Sequence, residues 1–442
     1  MLPIIRVPEI LAKGMESFRK IFCRAEGFEH ICRFITGLIL SPNKTLQGIY
    51  DLQVWEGEAP SRRAMHEAVF ESGWDGAAFI QQHRGEVAQA YQGRGRQVVS
   101  LDWTLAHHAR GPKIHAVTKS YDYVDRRTTW FQTVVTAVVS NREWIEGREM
   151  VVQDPRDLKA EAEYLRATAK TEYMQMAEAR QRLLEFLHYH AHRLQYRKRT
   201  EIVRQLETEG QFPQAPYAFD NGVLTLELTR LIESRGKHWV SELEVSRHIQ
   251  WQGHWRRVDE VGAELRHQHP ESCRAIKVSC RNGEEKRFWV FTKAVRLKRY
   301  GGKRLVIVHE HEDLTDAPRF LLTDAWHWES GRVIQTWSYR WASEVFHEFG
   351  KQVCGLESAQ VRKEEAVIRH FRLSCVAQSL VQRAPAAESK SERDAFAAGK
   401  KTYGQKCRAI YREALRSLLE LCKRYFAEGK SCHEVLEALM PA

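Results

Sequence analysis

Residues 96–104, RQVVSLDWT, are where the character of the chain changes. Upstream the sequence reads as helix; here a β-branched run begins and ends on an acid, Asp102. A longer run, TTWFQTVVTAVVS (128–140), follows, and REMVVQ (148–153) gives a third strand. The next stretch, 154–210, is helical and highly charged. YAFD (217–220) then reads as a strand ending at Asp220, TLELTRLIESRG (225–236) as a helix and KHWVSELEV (237–245) as another strand. Three strands, helix, strand, helix, strand is an α/β order with crossover helices and a mixed sheet.

The flanks differ in kind. Residues 1–92 are expected to form a helical unit, in which SPNKTLQGIYDLQ (41–53) and SRRAMHEAVFESGWD (61–75) are two helices around a WEGEAP break. Ser41 and Ser61 are placed to cap them. Arg62 and Arg63 open the second helix, as DNA-facing residues of a helix-turn-helix would. The α/β core occupies 93–244. Between 245 and 328 come RAIKVSC, KRFWVFTKAVRL, KRLVIVHE and RFLLTDA, separated by turn-like segments, which predicts a basic, β-rich insertion. Helices return over 329–383 and complete the core. Residues 384–401 are small and polar, the composition of a linker, and 402–442 are again helical.

Composition restricts the function classes. A chain of 442 residues can bury a large core, and 43% hydrophobic content with 13 tryptophans excludes a disordered chain. Lysine and arginine outnumber the acids 68 to 57, a formal charge of +11 that suits a polyanionic partner. No apolar run approaches the ~20 residues that span a bilayer, and nothing at the N-terminus reads as an export signal, so a soluble cytoplasmic protein without a membrane partner is expected. The nine cysteines are scattered and include no Cys-x-x-Cys pair, which argues for reduced thiols rather than a disulfide frame or a zinc site.

The segment WSYRWASEVFHEFGK (337–351) carries the chemistry. At about 100° per residue from Arg340, Glu344 falls near 40°, Lys351 near 20° and Trp337 near 60° on a single helix. Trp341, Val345 and Phe349 make a neighbouring apolar stripe that is expected to pack, and His347 lies close to the charged face. An ordinary solvated face with one ion pair is the simplest account of this helix alone. The core strands add to it. Asp102 and Asp220 end strands, and strand ends next to following helices gather at one rim. Three carboxylates meeting there repel one another unless divalent cations of the magnesium or manganese type sit between them. His107, His108 and His115 lie near Asp102 in sequence, although loop histidines are more often solvated than metal-bound.

With these residues in place the chain resembles the DDE transposases of bacterial insertion sequences, families four and 701. Their third carboxylate lies in a Tyr-x2-Arg-x3-Glu-x6-Lys signature, and this chain reads Trp337-x2-Arg340-x3-Glu344-x6-Lys351. LDWT with Asp102, the Asp220 block with WVSEL and Arg247, and CGLESAQVR after the glutamate resemble the family's other blocks. The likeness covers roughly residues 40–380. It implies a ribonuclease H-like core and a β-rich insertion. It also implies two Mg2+ or Mn2+ ions held by Asp102, Asp220 and Glu344, with Arg340 and Lys351 on the DNA phosphates. Trp337 stands where the family has tyrosine, and Tyr339 is an imperfect substitute. An insertion tryptophan, Trp289 or Trp255, would stack on a base flipped near the transposon end. The implied partner is double-stranded DNA, both terminal inverted repeats and target, bound by a homodimer at the nucleoid. A domesticated DNA-binding protein that does not cut, and a structure-specific nuclease of the same fold, are the rivals.

Overall fold

The computed structural model describes residues 2–440 except 56, 110, 124, 173–176, 192–196, 210, 211, 282 and 388–400, so most of the expected 384–401 linker lies outside the described residues. The chain opens with α1 (Glu9–Met15), α2 (Ala25–Leu40), α3 (Leu46–Tyr50), α4 (Arg62–His66) and α5 (Gly76–Ala90). Ser61 caps α4, its Oγ accepting from the Ala64 amide at 3.1 Å. Ser41 does not cap α3; Thr45 does, accepting from Gly48 N at 3.1 Å. The reason lies in Lys44, whose ammonium donates to the Leu38 and Ser41 carbonyls and so closes the end of α2 on itself. Ser41 belongs to that terminus, and its hydroxyl donates to Asn43 O.

The N-terminal helices share their core with helices from the end of the chain. Leu11, Met15, Phe34, Leu38 and Phe79 pack with Leu373, Val376 and Leu380 of α13 (Glu364–Arg383) and with Ile410 of the C-terminal helix Tyr403–Ala427. These partners lie hundreds of residues apart in sequence, so periodicity alone shows each face and not what it meets.

A mixed sheet fills the centre. Its first strands are β1 (Val98–His107), β2 (Thr118–Asp122), β3 (Arg127–Ser140) and β4 (Ile145–Gln153). The pairs β1–β3, β2–β3 and β3–β4 are antiparallel. After α6 (Leu158–Glu172), α7 (Ala177–Ala191) and α8 (Arg199–Thr208) comes β5 (Tyr217–Phe219), and after α9 (Leu226–Ser234) comes β6 (Trp239–Glu242). β5 is parallel to both β1 and β6. Short connections force antiparallel pairing and helical crossovers permit parallel pairing, so the element order dictates this mixture. β2 had no sequence signal, because TKSYD is mostly exposed and lacks apolar alternation.

The β-rich run is not set apart from this sheet. β7 (His248–Trp251), β8 (His254–Arg257), β9 (Arg274–Ser279), β10 (Glu285–Leu297), β11 (Gly301–His309) and β12 (Arg319–Thr323) continue it. β12 pairs with β11 on one edge and with β6 on the other, giving the order β2-β3-β1-β5-β6-β12-β11-β10-β7-β8. One helix, α10 (Val258–Gln268), interrupts the run; it buries Val258, Val261, Gly262 and Leu265 at helical spacing.

The segment expected as one helix over 337–351 is two. α11 (Ser330–Ser338) and α12 (Trp341–Gln352) are joined at Tyr339–Arg340 by tight bonds to residues three back, Tyr339 N to Thr336 O and Arg340 N to Trp337 O. The buried face also differs from the expected stripe. Ala342, Phe346, His347 and Gly350 face inward, whereas Trp341 is 58% exposed. Packing sets this rotation. Phe346 enters a core with Val134, Val138, Met150 and Phe371 and fills the space above Gly147 of β4, where an added methyl group would collide with its ring. Gly147→Ala should therefore cost ~1–3 kcal/mol by overpacking, read as a lower urea midpoint with an unchanged m-value. An unaffected midpoint would contradict the close seating of α12 on β4.

Candidate active site

Strand parity aims Asp102. Leu101 and Val99 enter the core shared with Val135 and Ala137, so Asp102 faces the opposite side, with Ala106, Val134 and Val138. That is the side α12 covers. The β1–β5 ladder pairs Val99 with Tyr217 and Ser100 with Ala218. Extended by two residues, the same register sets Asp220 beside Asp102 on strands ~4.8 Å apart. Tyr217, Ala218 and Phe219 are fully buried, which leaves Asp220 as the first residue of that strand line to reach solvent. Its Oδ1 accepts from Val223 N at 3.1 Å in a turn that leads to α9, capped by Thr225. Glu344 lies in the first turn of α12.

The charges of Asp220 and Glu344 both bear on Asp102. The Asp102 carboxyl is pushed up to about 7, first by burial and then by the negative charge of Asp220, with Glu344 acting in the same direction. The Trp103 amide, which donates to Oδ1 at 2.8 Å, and the Arg340 guanidinium oppose the shift. Arg340 is ion-paired with Glu344. A half-buried carboxyl whose proton affinity is raised beside two further carboxylates belongs to an oxygen-donor set for a hard divalent cation, so the residues fit Mg2+ or Mn2+.

Other residues are placed differently from expectation. Lys351 donates to Leu105 O at 2.9 Å and pairs with Glu357 at 3.0 Å, partners that the helix face alone did not show. His347 is not on an open face. It is buried against Thr136 Oγ1 at 2.7 Å, and desolvation lowers its pKa to about 3. The three histidines after Asp102 do not converge: His108 meets Gln132, His115 meets Asp154, and His107 meets Asp122 and Glu357. Among the described residues, only His107, Asp122 and Asp125 bring three such ligand atoms within 4.8 Å of one another, so the Asp102 set is more open. Asp125 is ion-paired with Arg127 within that group.

Trp337 is close to both Arg319 and Arg340, whose guanidinium carbons are 4.9 and 5.6 Å from its ring centre. It lines a cleft of about 280 Å³ with Arg281, Lys286, Phe288 and Trp341. Arg281 and Arg319 were missed in the sequence because one comes from the turn after β9 and the other from the start of β12; the general basic character of the run was the only signal. Trp289 is half-buried in β10 opposite His309 and Ala275, and Trp255 is exposed beside Lys298. Arg62 and Arg63 are exposed at the start of α4, with Arg63 paired to Glu67. No described helix is long and apolar enough to cross a membrane, and all nine cysteines are free thiols.

Searches of this sequence against protein-family models and against curated proteins find no match.

The raised Asp102 pKa has a thermodynamic consequence. A carboxyl held higher in the folded state than in the unfolded chain carries no penalty below the unfolded value. The penalty grows as pH rises and is complete above about 7. Its upper limit is on the order of 4 kcal/mol, lowered by water access. In a chelator at pH 8, Asp102→Asn should raise the melting temperature, and the gain should shrink toward pH 5. Mg2+ or Mn2+ should then stabilise the wild type and leave the variant unchanged. A variant that melts lower than wild type at pH 8 in chelator would contradict the charge repulsion inferred for this rim.

Proposed function

We propose that the chain is a divalent-metal-dependent DNA transposase with a ribonuclease H-like core. On this reading it recognises the terminal inverted repeats of its element, cleaves at the ends and transfers the 3′-hydroxyls to target DNA. The observation that carries the proposal is the β1–β5 register, which sets Asp220 beside Asp102 on the sheet face that α12, with Glu344 in its first turn, covers. The core strand order supports it as well. An antiparallel β1–β3–β4 set, followed by β5 and β6 parallel to β1, is the arrangement expected of such a core.

Asp102, Asp220 and Glu344 would hold the ions. Bound there, two divalent cations lower the pKa of a water and neutralise charge on the scissile phosphate. The chain's own residues bind and orient. Arg340 supplies a fixed cation beside Glu344, and a planar guanidinium suits a phosphate oxygen pair. Trp337, Arg281, Arg319 and Lys286 offer aromatic faces and positive charge along one cleft. Trp289 and Trp255 remain candidates for base stacking, and Arg62 and Arg63 for repeat contacts. Synapsis of two ends makes a homodimer the expected DNA-bound state.

The test uses duplexes drawn from the DNA that borders the chain's own gene. With Mg2+ or Mn2+ the wild type should cut near the border and join the 3′-ends to a target plasmid. Asp102→Asn, Asp220→Asn and Glu344→Gln should each lower single-turnover cleavage by at least ~10³-fold while DNA affinity is retained. Cutting without joining would assign a nuclease instead, and binding without cutting a domesticated DNA-binding protein. Affinity for these duplexes should also fall steeply with salt, because each neutralised phosphate releases counterions. A flat salt response would mean that the excess positive charge does not face DNA.

A further inference from the structure

Lys351 is held by a chain of side chains that no transposase step described above uses. Its ammonium reaches the Leu105 carbonyl of β1 and Glu357 Oε1. Glu357 stands in the loop after α12, two residues past Gly355, whose φ of +71° turns the chain back toward β1. The same Oε1 accepts from the His107 main-chain N–H at 3.3 Å and faces Nδ1 of that ring at 3.1 Å. On the other side of the ring, Nε2 meets Asp122 Oδ2 at 2.7 Å, and Asp122 is 1% exposed at the end of β2. Residues from α12, the α12–α13 loop, β1 and β2 thus form one line: Lys351, Glu357, His107, Asp122.

A lysine alone is a point charge on a flexible four-carbon stem and fixes no position. Two anchors change that. An ammonium has three donors, and Leu105 and Glu357 engage two, which leaves one for an incoming oxygen. Leu105 is three residues beyond Asp102 on β1, about 10 Å along an extended strand.

We infer that Glu357, braced by His107 and the buried Asp122, is a positioning residue that fixes the Lys351 ammonium for the DNA phosphate contact which the signature likeness implies for that lysine. This rests on the transposase reading. Removing the brace leaves the lysine present but mobile, and misplacement of about 1 Å can cost ~10²-fold in rate.

The experiment is a double-mutant cycle on single-turnover cleavage of a labelled duplex from the gene's borders, with Mn2+ and saturating full-length protein. Glu357→Gln should slow cleavage about tenfold or more, and Glu357→Asp should recover part of the rate. In a Lys351→Ala background, Glu357→Gln should have no further effect. If Glu357→Gln does not fold, judged by its melting curve, His107→Gln enters the same cycle in its place with the same expected pattern. A Glu357→Gln protein that cleaves at the wild-type rate overturns the inference, as does one that slows the Lys351→Ala protein by the same factor as the wild type. Those outcomes leave the transposase reading intact. A wild type that does not cleave overturns that reading, and this inference with it.

Discussion

The candidate site depends on the parallel register between β1 and β5. Pairing Val99 with Tyr217 and Ser100 with Ala218 sets Asp220 level with Asp102 on the neighbouring strand. A slip of one residue would turn Asp220 to the other face of the sheet and separate the two acids. The register is held because β5 is buried on both faces, with Tyr217 and Phe219 in the core that also takes Val99 and Leu101, and Ala218 packed with Val98 and Tyr339. The central core and the charged rim are therefore one construction. Burial of three strand residues fixes where the fourth, an acid, must emerge.

The second support is the seating of α12. Phe346 above Gly147 and His347 against Thr136 fix the rotation of this helix, and that rotation turns Glu344 toward the rim. α13 backs it, sharing Phe371 and Cys375 with the Phe346 core on one side and Leu373 and Leu380 with the N-terminal helices on the other. A stabilising contact far from the carboxylates, such as the Phe34–His370 ring contact between α2 and α13, thus bears on how firmly Glu344 is held.

Much of this was legible in the sequence, for reasons that differ by residue. The strands that carry Asp102 and lead to Asp220 announced themselves by β-branched and aromatic composition, and the mixed sheet followed from element order; the expected strand end at Asp102 is corrected, since the ladder to β3 carries β1 on to His107 and leaves Asp102 in its middle. Glu344 and Arg340 were found from spacing, and both lie at the rim. The face of α12 was misjudged, because Trp341 looked like a core residue by type and only tertiary packing shows that Phe346 takes that place. The partners of Lys351, Glu357 and Leu105, were not legible from helix spacing, because they come from a loop and from β1. β2 was silent, since a polar edge strand is defined by its partner rather than by its own pattern. The continuity of β6 with β12 was hidden too, because a ladder between residues some 80 positions apart leaves no local trace.

The central claim is that Asp102, Asp220 and Glu344 form a divalent-cation site. The most direct measurement is anomalous diffraction from crystals of the full chain soaked in Mn2+, ideally with a cut duplex bound. The account predicts one or two manganese peaks between these three carboxylates, with Arg340 released from Glu344 to the phosphate. Manganese bound instead at His107, Asp122 and Asp125, with the Asp102 rim empty at saturating Mn2+, would contradict it.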